Sequence, residues 1–206
     1  MKRTTVFLLV LLAVALALLV EVNTRHLKIN LPLNFQHTGA LAASLNSPAQ
    51  APASPSYSVT GKPSISADFI NRVLMASHSP AAGTGKALYD LGLHYGIDPV
   101  FALAFFWHES GFGRYGMARV TRSLGNLRCI PGFPCINGYA GFSSWEQGYE
   151  AWYTLIRRLY VNRWHKTTIA AIIPTYAPAG DGNNVAGYIQ AIEQAVSAWR
   201  AGKVEI

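Results

Sequence analysis

A chain of 206 residues, half of them apolar, has room for one folded domain and an extension. Its formal charge of +7 is spread thinly: five basic residues stand against Glu21 before residue 64, and twelve basic against nine acidic after it. With no basic stretch interleaved with aromatic residues, nucleic acid is excluded as a partner, whereas an anionic surface such as a wall polymer or lipid headgroups is not.

Met1-Lys2-Arg3 precedes Thr4 to Val20, within which Val6 to Val20 is unbroken apolar sequence. About 17 helical residues reach about 26 Å, enough for a bilayer. A cleaved signal peptide is the competing reading, but the nearest A-x-A pattern, Ala40-Leu41-Ala42, lies well downstream. We therefore expect residues 1–22 to be a retained single-pass anchor. Lys2 and Arg3 before the run set its N-terminus in the cytoplasm and the body of the chain outside.

Residues 23–63 become rich in Pro, Ala and Ser, with Pro48, Pro52, Pro55 and Pro63 breaking any regular element. They read as a disordered tether. The alternation of Leu27, Ile29, Leu31, Leu33 and Phe35 is strand-like, but Pro32 and isolation from other strands favour a disordered or membrane-skimming segment.

From residue 64 the periodicity is helical. Phe69, Ile70, Val73 and Leu74 form one stripe, and Leu88, Leu91, Leu93 and Tyr95 form a second, closed by Gly96. Asp98-Pro99 supplies an N-cap and a first-turn proline for a helix from Val100 to about Glu109. That helix has no polar face before His108, so it should be buried all round. Ser143 to Glu146 resembles a capping box for a helix through about Tyr160. Thr167 to Ile173 is a short helix stopped by Pro174, and a stripe from Val185 to Trp199 is the last helix. Residues 64–206 are thus expected to be a mainly α domain.

Cys129 and Cys135, in a loop-like stretch, read as a disulfide in an oxidising compartment, with unpaired thiols as the alternative. No metal or other cofactor is expected. His108-Glu109 begins H-E-x-x-H, but Phe112 stands at the second histidine, and Gly83-Thr84-Gly85-Lys86 lacks a phosphate loop's first glycine and its Ser or Thr. There is no G-x-S-x-G.

What remains is a carboxylate. Glu109 ends an apolar helix, where burial and the negative end of the helix dipole both raise a carboxyl's pKa. An acid kept protonated near neutrality can donate to a leaving oxygen, as cleavage of a glycosidic bond requires. The alternative is a glutamate that swings into solvent.

Gly96-Ile97-Asp98-Pro99, the apolar helix, Glu109-Ser110-Gly111-Phe112-Gly113 and Ser123-Leu124-Gly125-Asn126-Leu127 together resemble the core of the lysozyme-like peptidoglycan hydrolases. Within them the closest match is the bacterial endo-β-N-acetylglucosaminidase family, over roughly residues 66–200. The resemblance implies a lysozyme-like fold, peptidoglycan glycan strands as substrate, and Glu109 as general acid. Thr175 to Pro178, with Asn183, Asn184 and Tyr188, resembles the segment that brings a tyrosine beside that acid, with Tyr176 the best match. Arg128-Cys129 departs from the family pattern after Leu127.

Asp181, in a glycine-rich loop, is the candidate second carboxylate, although it serves equally as a turn residue or cap. Glu146 is more simply a capping-box partner. Ser110, Asn126, Arg114, Arg128 and Tyr139 are the candidate substrate contacts: arginines hold carboxylates and polar sugar groups, and exposed aromatics stack on sugar rings. A monomer is expected. A muramidase, a lytic transglycosylase and a non-catalytic wall-binding module remain alternatives.

Overall fold

The computed structural model describes residues 57–206; the expected anchor and most of the tether lie outside the described residues. The described part is mainly helical and builds one hydrophobic core of its own. Among these residues no helix is long and apolar enough to cross a membrane.

The fold begins before residue 64, where the tether was expected to end. Val59 is fully buried, its N–H donates to the Thr167 carbonyl (2.7 Å), and its own carbonyl accepts from Asp98 N–H (2.9 Å). This strap ties together two corners that are distant in sequence, which is why composition alone did not mark it as folded.

Helix α1 (Ala67–Ala76) starts at Ser66, whose hydroxyl accepts from Phe69 N–H, and buries the whole expected stripe. Helix α2 (Gly85–Tyr95) ends at Gly96, which takes a left-handed φ of 62°. Leu93 departs from the expected stripe and is exposed, because the inward positions run Leu88, Gly92 and Tyr95. Gly92 has to be small: a Cβ there would lie 2.9 Å from the Ile97 carbonyl oxygen.

Helix α3 (Pro99–Ser110) is the central element, buried from Pro99 to Phe106. Asp98 caps it by accepting from Val100 N–H (3.2 Å). The same buried carboxylate accepts from Ser64 N–H (3.0 Å) and pairs with Arg200 (3.0 Å), fastening both ends of the domain to the start of α3. Gly111, at φ 55°, closes the helix. Helix α3 packs against α2 and against the last helix, and Phe105 and Phe106 reach the Trp152, Tyr149 and Tyr188 rings.

A short helix α4 (Ala118–Thr121) and a two-stranded ribbon, β1 (Cys135–Ile136) and β2 (Tyr139–Ala140), follow. The ribbon is antiparallel, pairing Cys135 with Ala140 and Ile136 with Tyr139. Its turn is Asn137-Gly138, both at positive φ (50° and 85°). Asn-Gly is a strong local hairpin signal, here too short in its flanks to show as strand alternation.

Helix α5 (Trp145–Thr154) is capped by Ser144, and Gln147 rather than Glu146 completes the reciprocal bonding by accepting from Ser143 N–H (2.8 Å). The helix continues as a π-helix over Leu155–Arg163, past the expected end near Tyr160. Helix α6 (Ile169–Tyr176) runs through Pro174 instead of stopping there. The proline removes one N–H, while the Ala177 N–H still bonds to the Ile173 carbonyl (2.9 Å). Helix α7 (Val185–Arg200) buries Tyr188, Ile192, Val196 and Trp199 as its stripe requires.

Candidate active site

Glu109 occupies the last turn of α3, half-buried. The Tyr188 hydroxyl, from the first turns of α7, donates to Glu109 Oε1 at 2.6 Å. From the opposite side Asn126 Nδ2 donates to the Glu109 backbone carbonyl at 2.8 Å, and its amide also bears on the carboxyl. Burial raises the pKa of Glu109 above its ordinary value; the hydrogen bonds from Tyr188 and Asn126 and the positive charge of Arg128 pull it back in part.

The Ser123–Leu127 turn is built for this contact. Asn126 sits at φ 47°, a left-handed position that asparagine tolerates, and Leu127 N–H bonds to Ser123 Oγ (2.9 Å). Gly125 lies against Trp152, where a Cβ would come within 2.7 Å of the indole ring, and its carbonyl accepts from the Tyr176 hydroxyl (2.7 Å). Asn126 Oδ1 and Trp152 Nε1 are the buried side-chain polar atoms left without a hydrogen bond among the described residues, and both border this turn. Unmatched buried polar atoms are costly, and they concentrate where function rather than stability sets the arrangement.

The tyrosine expected beside the acid is therefore Tyr188, not Tyr176. Tyr176 is half-buried in a neighbouring position and its hydroxyl donates to the Gly125 carbonyl; the charge of Glu109 still reaches it and, after burial, helps to raise its pKa. The choice depends on how α6 and α7 cross α3, which no local pattern records.

Ser110 is not a substrate contact either. It is 2% exposed, donates to the Leu124 carbonyl (2.8 Å) and accepts from Gly113 N–H (2.9 Å). It pins the end of α3 to the Ser123–Leu127 turn. Asn126 is half-buried and turned toward Glu109, so it positions the acid. Asp181 is exposed in a 3-10 turn (Ala179–Asp181), and its carboxylate makes no hydrogen bond or ion pair among the described residues. Its role in the fold is that of a turn residue.

Arg128 and Tyr139 do come together. The guanidinium lies over the Tyr139 ring, 4.7 Å from its centroid, and the two residues bridge as neighbouring backbone. The Cys129–Cys135 disulfide and the ribbon hold this pair next to the turn, with Ala140 N–H bonded to the Leu127 carbonyl (2.9 Å). Arg114 is exposed beyond the end of α3, bonded through Nε to the Gly111 carbonyl (3.2 Å) and lying over Tyr115 (5.0 Å). Arg122 instead braces the start of α5 by donating to the Ser143 carbonyl (2.7 Å).

One neighbour was not anticipated. His108 stacks face to face on Tyr188, with ring centroids 3.7 Å apart and planes 13° from parallel. Desolvation lowers its pKa, so it is biased toward the neutral imidazole. The signal available in the sequence was its adjacency to Glu109, but only the approach of α7 turns that into a stack.

Among the described residues no three His, Cys, Asp or Glu side chains are grouped to hold a metal ion. A surface groove lined by Asp90, His94, Glu146 and Glu150 lies apart, with none of Glu109, Asn126, Arg128, Tyr139 and Tyr188 in its lining. The chemistry, not the size of a groove, selects the site. No protein-family model matches the chain, and no curated protein matches it.

Proposed function

We propose that the protein is a lysozyme-like glycoside hydrolase that cuts β-1,4-glycosidic bonds of peptidoglycan glycan strands outside the membrane, with Glu109 as general acid. The observation that carries this reading is Glu109 itself: a carboxyl whose pKa burial raises, bonded to Tyr188 at 2.6 Å, on the segment whose sequence resembles that superfamily. Such a group delivers a proton to the bridging oxygen as the C1–O bond breaks and its electron pair moves to that oxygen. Tyr188 and Asn126 then stabilise the carboxylate left behind. Arg128 over Tyr139 offers a charged edge and a flat face to a sugar bearing a carboxylate.

N-acetylglucosaminidase specificity is the first choice. No second carboxylate contacts Glu109 among the described residues, and Asp181 stands apart. Attack on C1 is assigned here to a group of the substrate itself, as in substrate-assisted glycosidases. Attack by the acetamido oxygen, followed by water, gives a reducing-end N-acetylglucosamine at the first-choice bond and a reducing muramic end for a muramidase. Attack by the C6 hydroxyl gives a 1,6-anhydromuramic end and a lytic transglycosylase.

The test is release of soluble muropeptides from purified sacculi, wild type beside Glu109→Gln, with mass analysis of the ends. Release by the wild type alone is expected, with ends naming the bond. Release by both, or sedimentation on sacculi with release by neither, overturns the assignment, and the latter outcome makes the domain a wall-binding module.

A further inference from the structure

The π-helix and the turn after it carry a feature that the proposed chemistry does not use. From Ala151 to Gly180 the chain has no Asp or Glu, yet Arg157, Arg158, Arg163 and Lys166 fall there, with His165 between them. The i→i+5 geometry sets Arg158 and Arg163 one turn apart, and both are exposed. Among the described residues the only ion pairs are Lys86–Asp90 and Arg200–Asp98, so the arginines of this stretch have no acidic partner there. Trp164 is half-buried beside them, with Lys166 Nζ 5.7 Å from its ring centroid. Tyr160 and Trp164 are interleaved with these cations, so contrary to the expectation from the whole-domain charge the chain does hold one basic stretch interleaved with aromatic residues.

This face adjoins the place where the chain enters the fold. Ser58 bridges Thr168, and Val59 N–H bonds to the Thr167 carbonyl (2.7 Å), directly after the basic stretch. Upstream of Tyr57, about 36 residues separate it from the apolar run ending at Val20; as a coil they span about 33 Å. If the apolar run is the expected anchor, the domain meets headgroups at high effective concentration, and the chain enters the fold beside this basic stretch.

We propose that this face, formed by Arg157, Arg158, Arg163 and Lys166 with Trp164, docks on anionic phospholipid headgroups of the membrane that the N-terminal apolar run is expected to enter. Four cations are enough for recognition of an anionic leaflet, and a half-buried indole is suited to the headgroup level. Docking would fix the orientation of the domain on the bilayer. The proposal does not depend on the glycosidase reading, since its readout is binding.

The experiment uses residues 51–206, a compact unit with its own core, in co-sedimentation with vesicles of mixed phosphatidylglycerol and phosphatidylcholine and with phosphatidylcholine alone. Binding to the mixed vesicles only, weakened by salt, is expected. Arg158→Gln with Arg163→Gln should weaken it about 30-fold, from about 5-fold per arginine near an anionic surface. Arg72→Gln with Arg119→Gln removes equal charge elsewhere and should leave binding within about twofold. Both pairs change exposed residues, and matched thermal unfolding checks that each variant is folded. Absence of binding to the mixed vesicles, or equal losses from the two variant pairs, overturns the proposal. So does full competition by soluble poly(glycerol phosphate) at equal phosphate concentration, which would make the face a reader of wall polyanions.

Discussion

Replacing Tyr188 with phenylalanine removes one oxygen and tests how the acid is tuned. The lost bond is short, 2.6 Å, and the ring is 4% exposed, so water has little access to replace it. A hydrogen bond to an ionised carboxylate contributes about 1.5–3 kcal/mol. The bond favours the charged form, so its loss raises the titration of Glu109 further. At about 1.4 kcal/mol per pH unit the displacement is about one to two pH units. Two assays read it: the carboxyl carbon shift of Glu109 followed by NMR against pH, and the alkaline limb of muropeptide release. On the proposed reading activity requires protonated Glu109 and falls as pH rises through its pKa, so the limb should move to higher pH in Tyr188→Phe. A limb or titration that stays in place, or moves down, would refute the claim that Tyr188 is the tuning donor. Tyr176→Phe is the internal comparison, since its hydroxyl bonds to the Gly125 carbonyl instead of the carboxylate.

Three further outcomes follow from the same geometry. Burial raises the folded-state pKa of Glu109, so the folded protein binds the extra proton and native stability declines as pH rises from its ordinary value near 4.5 toward the folded one. Glu109→Gln should therefore unfold at a higher temperature than wild type at neutral pH, with the gap closing below that ordinary value; scanning calorimetry across pH checks it. Asp98→Ala strips the cap from α3 and leaves Arg200 without its carboxylate, and should cost about 3–5 kcal/mol in urea denaturation, a value near zero being inconsistent with the triple contact. Asp181→Asn should keep muropeptide release within about twofold of wild type, and a large loss would restore Asp181 as a second carboxylate.

The local chemistry of this chain is legible residue by residue. Asp98 before Pro99, Gly96 and Gly111 after their helices, and the apolar run from Val100 to Phe106 specify capped helices and a buried central one. These signals act within one turn of the backbone, and tertiary packing had no stronger preference to set against them. The place of Glu109 at the end of that helix is legible for the same reason, whereas its partial burial rather than a swing into solvent comes with the contacts from Tyr188 and Asn126. Pro174 misled because a proline's penalty is local and finite, while Ile169, Ile172 and Ile173 gain core burial that outweighs one missing hydrogen bond.

The sequence by itself determined most of the helical stripes, the cap at Asp98, the stop at Gly96 and the placing of Glu109 at the end of the apolar helix, since each follows from neighbours a few bonds or one turn away. Only the tertiary structure decided which tyrosine meets Glu109, that Ser110 faces inward, that His108 stacks on Tyr188, and that Val59 belongs to the core. Those outcomes rest on the angle and offset at which α6 and α7 cross α3. Such crossings are set by the fit of many side chains at once, so contacts between residues 79 positions apart, as for Glu109 and Tyr188, leave no periodic trace along the chain.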